Sequence, residues 1–235
     1  MFSINELNSQ QRDAVQAPNG PTMVLGGPGC GKTRVLAHRI AHLLQLGVCT
    51  SQIMAVLRTN KTADEMKNNV FHLVGEKNKN LCIGTFHTIF ARVLRKNAEA
   101  VGYRSNFSLY DTVDSINLIK SIMKSLGISI QQFAPQEILS RISSMKNQVI
   151  AAEEYFDHTS DLYAQCTTQI FDEYQKRLKQ CNAMDLDDLV LKSIEMFANA
   201  KNILTWHQDR IRFFLIDDFQ DISRSQYTLS RFLAG

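Results

Sequence analysis

The stretch Gly26-Gly27-Pro28-Gly29-Cys30-Gly31-Lys32-Thr33 decides the expected fold. It fits the pattern GxxxxGK followed by Ser or Thr, and it lies between an apolar run at Thr22–Gly26 and a helical stretch that extends to about Leu46. Glycines let successive backbone N–H groups point at phosphates, and the start of a helix adds positive potential. The stretch therefore predicts a strand, a phosphate-binding loop and a helix.

Individual residues of this loop have separate expected roles. Lys32 is expected to reach the outer phosphates of a nucleotide, and Thr33 to give its hydroxyl to Mg²⁺. The other residues expected to line the nucleotide through the loop are Gly27, Gly29, Cys30 and Gly31. ATP and Mg²⁺ are therefore the predicted cofactors.

Other short apolar runs, bounded by polar residues or glycine, are expected to form buried strands. They lie at Ile53–Leu57, Leu81–Gly84 and Arg212–Ile216. Because helical stretches separate the first strands, the alternation predicts a parallel sheet covered by helices, which is the α/β class.

A block between Asp111 and Leu178 interrupts this alternation with apolar residues at a period of 3.6. They are Ile116, Ile119, Met123, Leu126, Ile138, Ile142, Met145, Val149, Ile170, Tyr174 and Leu178. The block predicts an inserted all-helical subdomain. The expected division is 1–98 for the first part of the α/β domain, 99–182 for the insertion and 183–235 for the continuation of the α/β domain.

Two adjacent carboxylates, Asp217 and Asp218, follow the apolar run at 213–216. Such a strand places an acid beside the phosphate loop at the carboxyl edge of a sheet. Asp217 is expected to hold Mg²⁺, and Asp218 to orient or deprotonate the water that attacks the γ-phosphate. An ordinary acidic helix cap is the alternative, and this pair taken alone does not decide between the two.

Composition adds weaker constraints. The net charge of +3 fits a nucleic-acid partner but does not require one, and the five scattered cysteines indicate reduced thiols. No apolar run is long enough to span a membrane and no signal segment precedes the first strand, so a soluble, cytoplasmic protein is expected. Few strands and an end soon after Ser225–Leu233 suggest part of a longer protein.

Further segments, in matching order, resemble UvrD/Rep/PcrA-type superfamily-one DNA helicases. They are Leu7–Val15, Thr59–Ala63 with Glu65-Met66, Gly84–His87, Phe107–Asp111, Met184–Leu189, and Ile216–Asp221 with Gln226. The resemblance implies a RecA-like P-loop NTPase sheet, ATP hydrolysis, and single-stranded DNA as partner with 3′-to-5′ polarity. It also implies a second motor domain or subunit.

The resemblance also implies roles for individual residues. Gln11 corresponds to the residue that recognises adenine, Arg34 to a position on the adenine face, and Gln220 to part of the nucleotide site. The positions that correspond to contacts with single-stranded DNA are Arg58, Thr59, Asn60, Thr85, Phe86 and His87.

Three departures from the family pattern keep other functions open. Asp218 stands where the family has Glu, Arg58 stands where it has Phe, and the motifs of the second motor domain are absent. A missing arginine finger costs about 10³–10⁵ in rate, more than a shortened carboxylate would. The alternatives are a nucleotide- or DNA-binding module with little or no hydrolysis, and, less well supported, a small-molecule kinase.

Overall fold

The computed structural model describes residues 4–75, 80–149 and 162–235. The chain forms two compact units. The first contains Met1–Ile89, Thr205–Asp221 and Leu233–Gly235, and the second contains Phe90–Leu204 and Ile222–Phe232. The domain boundaries predicted from the sequence, after residues 98 and 182, remain a prediction.

A parallel sheet lies at the centre of the first unit. Its strands are β1 (Ile53–Val56), β2 (Cys82–Gly84) and, after the second unit, β5 (Phe213–Ile216), in the order β2-β1-β5. Val56 is paired with both Gly84 and Ile216, so the three strands end together at one edge. Three of the four expected strands are thereby confirmed, and so is the α/β character of this part of the chain.

The predicted strand at Thr22–Gly26 was wrong. Residues 21–27 have no strand geometry, and Met23 and Leu25 are 68% and 85% exposed. Among the described residues, no strand pairs with the outer edge of β5. Only three large apolar residues lie between Pro21 and the glycines, so the segment has little apolar area to bury. An apolar run forms a strand only if its backbone also pairs with a neighbouring strand, and this segment does not.

Helices precede, separate and follow the first two strands of this sheet in the sequence. They are α1 (Ser9–Val15), α2 (Lys32–Gln45), α3 (Asn60–Val74) and the start of α4 (Phe86–Lys96). Asn8 and Thr59 cap α1 and α3 by accepting backbone N–H groups through their side chains, which fixes where these helices begin. Ile40, Leu43, Ile53, Ala55, Met66 and Ile83 are among the buried residues of the core.

The second unit is mainly helical. Its long helices are α5 (Thr112–Leu126), α6 (Pro135–Gln148), α7 (Leu162–Gln180) and α8 (Leu186–Asn199). Most of the apolar residues noted at helical spacing are completely buried here: Ile119, Met123, Ile138, Ile142, Ile170, Tyr174 and Leu178. Leu126 and Val149, at the ends of their helices, are exposed instead.

The expectation of an all-helical insertion needs correction. Two short strands, β3 (Ser108–Tyr110) and β4 (Ala183–Asp185), pair in parallel within the second unit. Three residues are too few to show a strand period, and the partner lies far along the chain, so only tertiary pairing reveals them. β3 lies within the segment Phe107–Asp111, and β4 overlaps the segment Met184–Leu189; both segments resemble the flanks of the family's inserted domain.

The remaining helices are α9 (Lys201–Arg210) and α10 (Arg224–Ala234), and short 3₁₀ turns lie at Ile4–Glu6, Thr50–Gln52, Ala98–Val101 and Phe219–Asp221. All five cysteines are free thiols. Within the part of the chain that is described, no helix is long and apolar enough to cross a membrane.

Candidate nucleotide site and nucleic-acid interface

Several of the candidate residues follow the carboxyl ends of the three parallel strands. Arg58, Thr59 and Asn60 follow β1, Thr85–Thr88 follow β2, and Asp217 follows β5. The Asp217 N–H donates to the Val56 carbonyl at 2.9 Å, which extends the ladder beyond the strand. Ligands of open parallel sheets bind at this edge.

The phosphate loop is held by its glycines and by Lys32. Gly29 and Gly31 have φ of +75° and +87°, values that other residues rarely adopt. The Lys32 ammonium donates to the carbonyls of Gly26 and Gly27 at 2.9 and 3.0 Å. The lysine therefore lies inside the concavity of the loop, and α2 begins at this same residue.

Thr33 and Asp217 meet although they are far apart in sequence. The Thr33 hydroxyl donates to Oδ2 of Asp217 at 2.9 Å. A hydroxyl and a carboxylate at this distance form two neighbouring hard oxygen ligands of the kind that Mg²⁺ prefers, on the rim of a phosphate-binding loop. The two residues predicted to bind the metal are therefore together.

Gln11 lies against the phosphate loop. Its Nε2 donates to the Cys30 carbonyl at 3.1 Å, and its Oε1 accepts the backbone N–H of Asn8. A Cβ added to Gly31 would lie 2.9 Å from the same Nε2, so the glycine permits the close approach. The amide is thus next to the loop, where it joins the start of α1 to Cys30.

Arg34 is half exposed and its guanidinium lies 3.6 Å from the Glu6 carboxylate. The sequence did not suggest Glu6 as a partner, because the pair joins the first 3₁₀ turn to α2 only in the tertiary structure. The position of Arg34 on an adenine face remains a prediction.

Asp218 adopts a left-handed backbone conformation with φ of +49°. Aspartate tolerates this conformation better than most residues, and strained backbones of this kind often occur at functional positions. Gln220 Nε2 lies 3.4 Å from Oδ1 of Asp218, and the N–H of Asp221 donates to the Asp218 carbonyl at 2.9 Å. Residues 218–221 therefore form a closed turn that contains both predicted residues.

Arg58 and Asp221 form an ion pair at 3.1 Å between Nη1 and Oδ2. The Arg58 side chain is 70% exposed and that of Asp221 is 41% exposed. The sequence pattern did not predict that these two residues form an ion pair. The predicted DNA contact is thereby joined to the turn that follows the two carboxylates.

The two other predicted DNA-contacting segments also meet. The Thr88 hydroxyl donates to Oδ1 of Asn60 at 2.9 Å, and Thr85 accepts the backbone N–H of Thr88. Thr59 is exposed and His87 half-buried, whereas Thr85 and Phe86 are buried, with Phe86 only 4% exposed. Phe86 therefore packs in the core, and its ring is not a surface on which a base can stack.

Comparison with known protein families identifies the chain. Residues 7–235 match the model of the UvrD/REP helicase N-terminal domain. The chain belongs to this family.

Curated relatives agree with the UvrD/REP assignment. The chain is 36% identical to the ATP-dependent DNA helicase PcrA of Staphylococcus epidermidis and 34% identical to that of Staphylococcus aureus, over 99% of its own length. It spans about a third, 32%, of the length of these relatives.

The structure of this UvrD/REP-type chain contains a buried ionic cluster that was not predicted from the sequence. The Lys146 ammonium lies 2.5 Å from Oδ2 of Asp185 and 2.8 Å from Oδ1 of Asp188, and all three side chains are at most 7% exposed. Tyr174 donates to Asp185 and Gln175 to Asp188. Asp185 and Asp188 belong to the segment Met184–Leu189 noted for its resemblance, but no signal pointed to Lys146.

The cluster shifts the pKa values of Lys146 and Asp188. Burial lowers the pKa of Lys146, but the carboxylates of Asp188 and Asp185 outweigh it and raise that pKa overall. Burial raises the pKa of Asp188, with Lys146 opposing the shift. The ion pairs hold α6 against α8 and β4, so the cluster stabilises the second unit.

Proposed function

We propose that the chain is the first part of an ATP-driven motor that acts on single-stranded DNA, built on a RecA-like P-loop NTPase fold. The observation that carries this proposal is the contact between Thr33 and Asp217 at 2.9 Å beside the Lys32 loop. It brings together two segments of the first unit that are distant in the sequence and that would form the ATP site. Membership of the UvrD/REP family and the likeness to PcrA helicases support the same function.

The loop residues would bind the phosphate chain. Lys32 now donates to two loop carbonyls, and phosphate oxygens of higher negative charge would replace them as acceptors. Backbone N–H groups of Gly27, Gly29, Cys30 and Gly31 would complete the cradle. Gln11, next to Cys30, and Arg34, with an exposed guanidinium, would contact the base.

The hydroxyl of Thr33 and the carboxylate of Asp217 fit Mg²⁺, which would supply charge neutralisation on the phosphates. Asp218 would orient or deprotonate the attacking water, and Gln220 would contact the outer phosphate. The Asp218 carboxylate is one methylene shorter than the Glu of the family pattern, so we expect slow turnover. On this proposal Asp218→Glu increases the rate of hydrolysis.

The DNA strand would lie along the segments after β1 and β2. Arg58, Thr59 and Asn60 present a cation and polar groups there, and the Asn60–Thr88 hydrogen bond connects them to the Thr85–His87 segment. Because Thr85 and Phe86 are buried, these two would have a supporting role, with His87 and Arg58 as the better candidates for contact.

Because the chain spans 32% of the PcrA relatives, a second motor domain or subunit would supply the missing arginines. Residues 1–98 and 183–235 would form the ATP-binding domain and residues 99–182 the insertion. Translocation requires two lobes that move relative to each other, so the 235-residue chain should bind ligands without unwinding DNA.

The test is binding of a fluorescent ATP analogue to the 235-residue chain, with Mg²⁺ or with EDTA. Lys32→Ala should abolish measurable binding, and Asp217→Asn should remove the gain in affinity due to Mg²⁺. Lys192→Ala, which removes a partly exposed lysine paired with Glu195 in the second unit, is the matched control. Equal affinities for Lys32→Ala and Lys192→Ala would contradict the proposed site.

A non-hydrolysing binding module is the second candidate, favoured by Asp218 in place of the Glu of the family pattern. Steady-state ATP hydrolysis, with and without single-stranded DNA, distinguishes the two. DNA-stimulated turnover that Lys32→Ala abolishes indicates the motor. Nucleotide binding with no turnover, even after Asp218→Glu, indicates the module or an isolated lobe.

A further inference from the structure

We propose that Asp221 competes with DNA for Arg58: in the protein without DNA it holds the Arg58 guanidinium, and a phosphate of the strand replaces it. The inference rests on the proposed function and adds a regulatory contact to its DNA-binding surface. Through the closed turn at 218–221, the same exchange would couple DNA binding to the candidate catalytic carboxylate.

The position of Arg58 suits a phosphate. Arg58 directly precedes Thr59, the N-cap of a fifteen-residue helix, and the start of a helix favours anions. Its side chain is 70% exposed, so a ligand can reach the guanidinium. A guanidinium binds carboxylate and phosphate through the same donors, so the two acceptors compete for it.

The position of Asp221 makes it more than a chance surface partner. Its backbone N–H is bonded to the Asp218 carbonyl at 2.9 Å, so its carboxylate is attached to the turn that contains Asp218 and Gln220. When Arg58 turns to a phosphate, that turn loses its ion pair with Arg58. The exposed pair is weak, which allows a phosphate to displace it.

The expected effects are modest and have a defined sign. An exposed ion pair contributes little, so Asp221→Asn should strengthen DNA binding about two- to fivefold by freeing Arg58. Arg58→Ala should weaken binding and reduce the slope of log affinity against log salt by about 0.7, the value for one phosphate contact on a single strand. In the Arg58→Ala background, Asp221→Asn should have no effect.

The experiment is a double-mutant cycle on the 235-residue chain, measured as the affinity for a fluorescent thymidine oligonucleotide at several salt concentrations. Asp64→Asn is the matched control, because it removes an exposed carboxylate that is paired with Lys67 on α3 and not with Arg58. Its effect should be the same with and without Arg58. Circular dichroism melting checks that every variant is folded.

The outcomes separate this inference from the proposed function. A gain on Asp221→Asn that disappears in the Arg58→Ala background supports the competition. A gain of equal size in both backgrounds, or no gain, overturns it while leaving DNA binding intact. Failure of the folded, unsubstituted chain to bind the oligonucleotide at low salt overturns both the inference and the DNA-binding part of the proposed function.

Discussion

Lys146→Met tests whether the buried ionic cluster stabilises the second unit. Methionine retains most of the apolar stem of lysine, so the change removes the ammonium while creating little cavity. It leaves Asp185 and Asp188 buried and facing each other, with Tyr174 and Gln175 as their remaining side-chain donors. Removing one partner of a buried pair costs about 3–5 kcal/mol, a large share of the total stability of a typical domain.

The assay is urea unfolding of the full chain at pH 7, followed by far-ultraviolet circular dichroism. Lys192→Met is the matched control, because the same substitution removes a lysine paired with Glu195 at 2.6 Å on a partly exposed face. We expect the control to lose less than about 1 kcal/mol. A loss below about 1 kcal/mol for Lys146→Met as well would refute the reasoning.

The pH dependence gives a second check. Burial and the charge of Asp185 raise the pKa of Asp188 while Lys146 opposes the shift, so without Lys146 the pKa of Asp188 would lie further above that of the unfolded chain. Groups with a raised acid pKa stabilise the fold when protonated, so the variant should regain stability as the pH falls from 7 toward about 4. A deficit that stays constant over this range would show that packing, and not charge, is responsible.

Two further predictions concern single residues. Phe86→Ala should lower the free energy of unfolding by about 3–5 kcal/mol, because Phe86 is 4% exposed; a loss below about 1 kcal/mol in urea unfolding would contradict its core position. Burial first, and then the charges of nearby carboxylates, raise the pKa of Tyr103 above its usual value of 10.0. Because the unfolded phenol ionises first, stability should fall as the pH rises above about 10, and Tyr103→Phe should reduce this fall between pH 8 and pH 11; identical falls in the two proteins would count against the assignment.

The sequence by itself determined the features that depend on local pattern. The glycines before Lys32 predicted the loop, and the structure places positive φ values at Gly29 and Gly31. Apolar periodicity predicted α5, α6 and α7 because each of these helices buries one face. Short apolar runs predicted β1, β2 and β5, although only β1 is buried along its whole length and β5 is half-buried.

The tertiary structure decided which residues meet across the chain. It left Thr22–Gly26 outside the sheet, paired β3 with β4, and buried Phe86, because short segments are fixed by the partners they find and not by their own composition. The motifs had placed Thr33 and Asp217 at one site, but only the tertiary structure formed the contacts of Arg58 with Asp221 and of Lys146 with Asp185 and Asp188. Each joins residues that only the path of the backbone brings within hydrogen-bond distance, and no local pattern encodes such a contact.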